Sequence, residues 1–489
     1  MKKIILSIII GASLVSCDDY LDVNTNPNSA QEVQNSLLIP SAQNFIASAV
    51  GGDIHNTAAF FAQYTDQMPE SNQYNDLAEY SFDKDLYNRS YSNLYAGALM
   101  DLEVIRKQAT AENNGGDYFL ATVLRAYVYQ ILVDYMDQAP YSEALKGNEI
   151  PLPHWESGES IYDGILTELD EAQAKLDKKS YISGDLLLGK DISKWIQFAN
   201  SIRLRIYMRS SNVKDNSVAI KKLIDENNFI ASDIKFAMYT DEANKRNPWY
   251  TTNYVALNTT NHVGSYAIIS YLQSTDDTRI ADIYLKAAAS GNYAGELPGS
   301  KTKQPTAKNS AYSALVEKPL MPVYLITSSE IAFFKSEAYL RFYSDDAAAK
   351  TAYEAAIDSN FVTRGLAPTA IYANGNKAAW SSATTTDEKL ELIGMQKWVA
   401  LCMLNNAEAW SEVRRMGYPK LSASTASQIK ADGTVYTPGN LISPWVNLLG
   451  EGKLVKRLYV PLSAVNTNKN TPQNQDRTTL VSPVWWDNK

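Results

Sequence analysis

The sequence contains very little cysteine and histidine. Its 489 residues include 2 Cys and 3 His, so neither a disulfide framework nor a zinc centre built from thiolates and imidazoles is expected. The histidines His55, His154 and His262 stand in separate segments, and no shared metal site is predicted. We expect a fold that is stabilised by packing and that uses no metal and no cofactor.

Basic residues are also fewer than acidic residues. Lys and Arg number 45 against 54 Asp and Glu, which gives a formal net charge of -9. A surface for nucleic acid needs a positive field along the phosphate backbone, so nucleic acid is not a predicted partner. Hydrophobic residues make up 45% and charged residues 20% of the chain, and this balance is typical of a globular protein.

Familiar signatures of catalysis are absent from the sequence. It contains no His-Glu-x-x-His, Gly-x-Ser-x-Gly or Cys-x-x-Cys run, so the common metallopeptidase, serine hydrolase and dithiol chemistries are not expected. Carboxylates are plentiful, and a pair about 5–10 Å apart could hydrolyse a glycosidic bond, but no pair stands out. We predict a protein that is not an enzyme and has no catalytic residues. A secreted glycosidase or peptidase stays open as an alternative.

The N-terminus predicts export and lipidation. A basic start, Met1–Lys3, precedes the apolar run Ile4–Val15, which is too short to span a bilayer comfortably. The run closes with Leu14–Cys17, which resembles a bacterial lipobox. We predict a lipoprotein signal peptide over residues 1–16 and acyl chains, such as palmitate, on Cys17. Such an anchor holds a protein on a membrane without a transmembrane helix.

The remaining chain, residues 17–489, is predicted to form a single body. Its first part, 17–40, begins with polar and turn-forming residues, as expected for a tether that leads into the fold. Helical periodicity dominates the rest, and long polar stretches such as 64–85 and 241–265 separate the helical blocks. The predicted fold class is mainly α, with long irregular loops and little β.

Individual helices can be placed from the spacing of apolar residues. The pattern predicts a helical hairpin that turns at Gly115-Gly116, and helices over Ile331–Phe342, Ala347–Ile357 and Glu388–Met416. The small-large-small spacing of a tetratricopeptide helix occurs at Ala349, Tyr353 and Ala356. Consecutive helix pairs of this kind predict a tetratricopeptide-like α-α superhelix.

Most tryptophans in predicted helices are expected in the core. Trp195, Trp398 and Trp410 lie in apolar stripes, where large rings are normally buried. In the helix that carries Trp195, the arginines Arg205 and Arg209 lie off the apolar face. Only the minority of aromatic residues that lie in loops therefore remains for contact with a ligand.

Short runs along the chain carry a resemblance to a known family. In order, they are Cys17–Asp22, Arg125–Tyr127, Ala139–Ala144, Ile161–Asp163, Lys194–Trp195, Arg203–Arg205, Ser329–Glu330, Glu337–Ala338, Gln396–Trp398, Glu408–Trp410, Arg414–Pro419 and Asn466–Asn470. Their order, together with the lipobox, resembles the SusD/RagB family of Bacteroidetes outer-membrane lipoproteins. The resemblance extends from Cys17 to about Asn470.

The resemblance implies a fold, a partner and a task. It implies tetratricopeptide-like helix pairs, with the irregular remainder carrying the ligand surface. It also implies a lid over a SusC-like, TonB-dependent transporter, which captures oligosaccharides, or in some members peptides, and delivers them for uptake. Asp18 and Asp19 look like the acidic surface-export signal of these bacteria. The expected location is the outer membrane, with the protein lipid-anchored and facing the cell exterior.

Candidate ligand residues come from two loops. A sugar presents polar edges and apolar C–H faces, so its site needs aromatic platforms beside amide hydrogen-bonding groups. The first loop combines these residue types at Asn247, Trp249, Tyr250 and Tyr254. The second loop, which resembles a ligand-contacting loop of the family, has Gln67, Asn72 and Tyr74. Because Trp249 lies in a predicted loop, we expect Trp249→Ala to weaken ligand binding without a large drop in melting temperature.

A protein-binding helical scaffold is the other alternative. Aromatic rings in loops also pack onto helices or onto a partner protein. The sequence does not distinguish a glycan ligand from a peptide, because rings and amides serve both.

Overall fold

The computed structural model describes residues 33–258 and 261–487 of the chain. The predicted signal peptide, the lipidation site Cys17 and the first part of the tether lie outside the described residues. The first described helix begins at Asn35, so the last residues of the segment 17–40 are helical. None of the helices in the described part combines the length and the apolar character needed to cross a bilayer.

Helices dominate the described chain, which confirms the mainly α prediction. The α-helices are α1 (Asn35–Val50), α2 (Asp53–Phe61), α3 (Asn75–Ala78), α4 (Asn88–Ser92), α5 (Met100–Ala111), α6 (Gly115–Met136), α7 (Gly158–Ala174), α8 (Ile192–Ser210), α9 (Ser217–Glu226), α10 (Pro248–Tyr250), α11 (Tyr266–Ser274), α12 (Ile280–Ile283), α13 (Ser328–Ala338), α14 (Asp346–Thr363), α15 (Thr386–Leu401), α16 (Asn406–Met416), α17 (Ala426–Ala431), α18 (Leu462–Thr467) and α19 (Arg477–Val481). Segments of π-helix cover Asn93–Leu99, Thr251–Ala256 and Tyr339–Tyr343.

The strands are short and lie in the long loops. They are β1 (Thr65–Gln67), β2 (Gln138–Pro140), β3 (Trp155–Ser157), β4 (Ile234–Phe236), β5 (His262–Gly264) and β6 (Val323–Ile326). They form antiparallel pairs, β1 with β5, β2 with β3 and β4 with β6. Each pair holds two loop segments together by backbone hydrogen bonds. The pair β1–β5 joins the two loops that are predicted to contact ligand.

The predicted hairpin at Gly115-Gly116 is formed by α5 and α6, which pack against each other. The Asn114 side chain caps α6 by accepting a hydrogen bond from Gly116 N at 3.1 Å. A Cβ atom on Gly116 would lie 2.2 Å from the carbonyl oxygen of Tyr181. The close approach of that backbone explains why the turn has glycine at this position.

Neighbouring helices pair as in tetratricopeptide units. Contacts join α5 to α6, α6 to α7, α13 to α14 and α15 to α16. The residues with tetratricopeptide spacing in α14, Ala349, Tyr353 and Ala356, are fully buried against α13. Consecutive pairs therefore stack along the chain, as the superhelix prediction requires.

The single helix predicted over Glu388–Met416 is wrong, because the segment forms two helices, α15 and α16. Met403 adopts a left-handed backbone conformation with φ of 57° between them. The Asn406 side chain accepts a hydrogen bond from Met403 N at 2.8 Å, and the Asn405 side chain caps α16 through Glu408 N at 3.2 Å. The apolar period continues across this break, so periodicity alone could not reveal it.

Buried ion pairs connect α8, α13, α15 and α16. The pairs are Arg205–Glu330, Arg209–Glu408, Arg209–Glu412, Lys397–Glu412 and Arg415–Glu337, with N–O distances of 2.5 to 2.7 Å. Each of these side chains is at most 5% exposed. Both faces of α8 are therefore covered, the apolar one by packing and the arginine face by carboxylates.

Candidate functional site

A cavity of about 490 Å³ opens between α2, the loop that follows β1 and the segment that begins with α10. The side chains that line it include the aromatic Tyr74, Phe82 and Trp249, the polar Asn56, Thr57, Gln73, Thr252 and Asn253, and the charged Asp53, Asp76, Asp83, Asp85 and Arg89. This volume is typical of a pocket for a small ligand. We refer to it as the central cavity.

The central cavity brings the two predicted ligand loops together. The Tyr74 hydroxyl donates a hydrogen bond to Asn253 Oδ1 at 2.6 Å. Asn253 in turn donates from Nδ2 to the carbonyl oxygen of Trp249 at 2.8 Å. Tyr74 and Trp249, one from each predicted set, thus line one cavity and are linked through a single amide.

Trp249 is more deeply buried than its place in a loop predicts. It is 5% exposed, and its indole contacts His262, Tyr254 and His55 at ring-centroid distances of 5.2, 5.6 and 6.2 Å. Only a small part of the indole is therefore left to meet a ligand. Its replacement by alanine would also leave a void in the core, so an unchanged melting temperature is no longer the expected result.

Asn56 is held in a single orientation at the floor of the cavity. Its Oδ1 accepts hydrogen bonds from Trp249 Nε1 at 3.2 Å and from His262 Nε2 at 2.7 Å. This pattern requires His262 to carry its proton on Nε2 in the neutral form. Within residues 33–258 and 261–487, no hydrogen-bond acceptor is assigned to Asn56 Nδ2. That amide group is a pre-oriented donor for a ligand in the cavity.

Burial keeps the histidines behind Asn56 neutral. Desolvation lowers the pKa of His55 to about 3. Desolvation, with a smaller contribution from His55, lowers the pKa of His262 to about 3. Both values lie far below the usual 6.5 of histidine, so the donor arrangement around Asn56 is stable at neutral pH.

Three other predicted residues shape the site from outside it. The Asn247 side chain is buried, accepts a hydrogen bond from Tyr250 N at 3.1 Å and donates to the Met321 carbonyl oxygen at 2.8 Å. Tyr250 and Tyr254 stack on each other at 5.0 Å, and Tyr254 contacts the Trp249 ring. These side chains position Trp249 and are not part of the cavity lining.

Of the last two predicted residues, Gln67 is buried and Asn72 is exposed. Gln67 is buried, and its Oε1 accepts a hydrogen bond from Tyr74 N at 2.5 Å. Asn72 is exposed and accepts a hydrogen bond from Lys301 Nζ. Gln67 therefore holds Tyr74 in place, whereas Asn72 joins a neighbouring loop, and neither lines the cavity.

Sequence reasoning missed the floor and the charged mouth of the cavity. Asn56 and Thr57 lie in α2, a helix that is almost entirely buried although its sequence contains His-Asn-Thr. Polar residues in a buried helix were the available signal, because each needs a partner or a ligand. The aspartates of the mouth gave no such signal, since exposed acidic residues are common everywhere.

The lining offers ring faces, amide and hydroxyl groups and carboxylates. In the part of the chain that the structure describes, no group of three or more His, Cys, Asp or Glu side chains is arranged to hold a metal ion. Ring faces beside fixed amides suit the binding of a polar ligand that also has apolar faces.

Solved structures with a similar fold include proteins from several Bacteroides species. A SusD/RagB family protein of Bacteroides thetaiotaomicron has a TM-score of 0.72 at 19% identity, over 94% of this chain and 99% of that one. A SusD homologue of Bacteroides vulgatus has a TM-score of 0.71 at 21% identity, over 92% and 98%. A structure described as a chitin-binding protein has a TM-score of 0.73 at 21% identity, over 93% and 100%.

These likenesses show a shared fold, and a family model extends the likeness to the sequence. No curated protein matched the chain. The model of the SusD-like family, described as starch-binding and associating with the outer membrane, matches residues 27–437. Because this match covers far more than half of the sequence, the chain belongs to the SusD-like family of starch-binding proteins that associate with the outer membrane.

Proposed function

We propose that this protein captures glycans in the central cavity and passes them to a TonB-dependent transporter of the outer membrane. The observation that carries the proposal is the cavity itself, where Tyr74 and the edge of Trp249 lie beside the pre-oriented Asn56 amide. A pyranose ring can place its C–H face on an aromatic ring while its hydroxyl groups meet the amide. The family's description as starch-binding supports the same ligand class.

Replacing Tyr74 with alanine is expected to weaken glycan binding about tenfold or more, which corresponds to about 1.4 kcal/mol or more. The variant loses a ring of the cavity wall and the hydrogen bond that orients Asn253. Isothermal titration calorimetry with malto-oligosaccharides and with N-acetylglucosamine oligomers measures the affinity. The second probe is chosen because a similar structure is described as chitin-binding.

Tyr181→Ala is the matched control, because that tyrosine is 54% exposed and lies beside the start of α6. Its affinity should equal that of the unaltered protein, and thermal denaturation should show both variants folded. Unchanged affinity in Tyr74→Ala, or no binding of either oligosaccharide, contradicts glycan capture in this cavity. Hydrolysis of the oligosaccharide during the titration would instead favour the glycosidase alternative.

Replacing Cys17 with serine is expected to move the protein from the membrane fraction to the soluble fraction. Each acyl chain contributes about 0.8 kcal/mol per buried methylene group, and the variant cannot be acylated at this position. Cys402→Ser is the matched control, since Cys402 is buried and the change leaves the anchor intact. Fractionation is read together with labelled palmitate, followed by immunoprecipitation, because a transporter complex can also retain the protein at the membrane. Label on the Cys17→Ser protein contradicts acylation at Cys17.

The proposed complex with a transporter can be tested by affinity purification from the cells used for fractionation. Detergent extracts of the lipidated protein should yield a β-barrel partner on affinity purification. Recovery of the lipidated protein alone, under conditions that keep outer-membrane complexes intact, contradicts a stable complex with a transporter.

A further inference from the structure

The charges around the central cavity are strongly unbalanced. Four aspartates and one arginine line it, which leaves three negative charges. The arginine, Arg89, is already held by Asp53 through two hydrogen bonds of 3.0 Å. The lining cation is therefore neutralised by Asp53, while the other three aspartates are exposed.

Two of these carboxylates are free to meet a ligand. Asp83 and Asp85 are exposed, and no hydrogen bond or salt bridge joins their carboxylates to any residue in 33–258 or 261–487. Asp76 accepts one hydrogen bond, from the Ser81 hydroxyl at 2.9 Å. The nearest lysine in the sequence, Lys84, is directed over the Tyr459 ring at 5.9 Å. The mouth thus keeps an uncompensated negative potential.

A second feature distinguishes this cavity from a purely acidic surface. The Asn56 side chain is 8% exposed, and its Nδ2 points into the cavity without an acceptor among the described residues. Asn56 and Trp249 are buried parts of the lining, whereas Asp83 and Asp85 are exposed parts of it. A ligand in the cavity therefore meets neutral groups in the buried part and carboxylates in the exposed part.

We propose that the central cavity selects glycans that carry protonated amino groups, such as oligomers of 2-amino-2-deoxyhexose. The inference rests on the proposed function, because it names the ligand class for the same cavity. The sugar ring meets the aromatic wall and Asn56, and its ammonium group meets Asp83 and Asp85. Uronic acid or sulfated glycans are repelled by the same carboxylates.

The size of the preference follows from the exposure of the carboxylates. A solvent-exposed ion pair contributes up to about 1 kcal/mol, so two such pairs are enough for a preference of about tenfold, which corresponds to about 1.4 kcal/mol. The attraction is screened by salt, because the Debye length falls from about 10 Å at 0.1 M to about 3 Å at 1 M ionic strength. A preference that depends on salt is therefore the signature of this site.

Titration calorimetry with three oligomers of equal length tests the proposal at about pH 6, below the pKa of a primary amine. The probes are oligomers of glucosamine, of N-acetylglucosamine and of galacturonate. We expect glucosamine oligomers to bind about tenfold more tightly than N-acetylglucosamine oligomers at low salt, with most of the difference lost in about 1 M salt. Galacturonate oligomers should bind most weakly.

The double variant Asp83→Asn/Asp85→Asn should lose the preference for glucosamine and keep its affinity for N-acetylglucosamine. Asp241→Asn, at an exposed aspartate paired with Arg246, is the matched control and should keep the preference. Equal binding of the two oligomers without salt dependence overturns the inference, and the proposed function survives if that binding still requires Tyr74. Binding of lysine peptides but of no oligosaccharide overturns both.

Discussion

Replacement of Glu412 by alanine is expected to lower the free energy of unfolding by about 3–5 kcal/mol, because it leaves the buried Lys397 ammonium without a carboxylate partner and removes one of the partners of Arg209 and Arg415. Glu412 accepts charge-assisted hydrogen bonds from Arg209 at 2.5 Å, Lys397 at 2.7 Å and Arg415 at 2.7 Å. Although burial alone raises the pKa of this carboxyl, Arg415, Lys397 and Arg209 hold it well below its usual range. The carboxylate is therefore ionised, and its removal affects α8, α15 and α16 together.

Chemical denaturation in urea measures this loss, and Glu242→Ala is the matched control. Glu242 pairs with Lys245 at 2.7 Å, but the two side chains are 63% and 62% exposed. An exposed pair of this kind contributes little, so the control should unfold at the same urea concentration as the unaltered protein. A Glu412→Ala midpoint equal to that of Glu242→Ala contradicts the importance of the buried network.

Acidification is expected to destabilise the unaltered protein more than the variant His262→Gln. The pKa of His262 is about 3 in the folded protein, lowered by burial and then by His55, against about 6.5 in the unfolded chain. Below about pH 6.5 the unfolded state therefore binds a proton that the folded state does not. The stability that His262 contributes is complete above that pH and falls by about 1.4 kcal/mol per pH unit as the pH decreases.

Glutamine is the chosen replacement because it keeps an N–H donor for Asn56 and does not titrate. Other buried groups titrate in the same range, so the informative quantity is the difference in unfolding free energy between the two proteins at each pH. That difference should grow by about 2 kcal/mol between about pH 6.5 and pH 5. A difference that stays constant over this interval contradicts a neutral, buried His262.

Periodicity in the sequence predicted where helices form better than it predicted which polar side chains are buried. The buried rings of Trp195, Trp398 and Trp410 follow from apolar stripes. The burial of Arg205 and Arg209 does not, because their carboxylate partners lie on helices far away in sequence. In a large stacked fold, a polar face can be buried as well, and only tertiary packing reveals where.

The site was predictable as a region and less so as individual residues. Aromatic and amide clusters indicated the loops of Tyr74 and Trp249, and these loops line one cavity. That a ligand binds there stays a prediction. Composition could not show that the Trp249 ring packs inward on His262, since loop residues in a large protein can be covered by other loops. Nor could it show that Asn247 and Gln67 support the site through backbone hydrogen bonds.

The hydrogen bond between Tyr74 and Asn253 joins residues that are 179 positions apart in the chain. Any fragment that ends before Trp249 lacks one wall of the cavity, so a partly synthesised or clipped chain cannot form it. A ligand held between these walls binds only the completed fold, and it raises the stability of that fold as its concentration rises above Kd. If the proposed glycan binding holds, cells supplied with the ligand therefore carry a longer-lived population of this protein than starved cells.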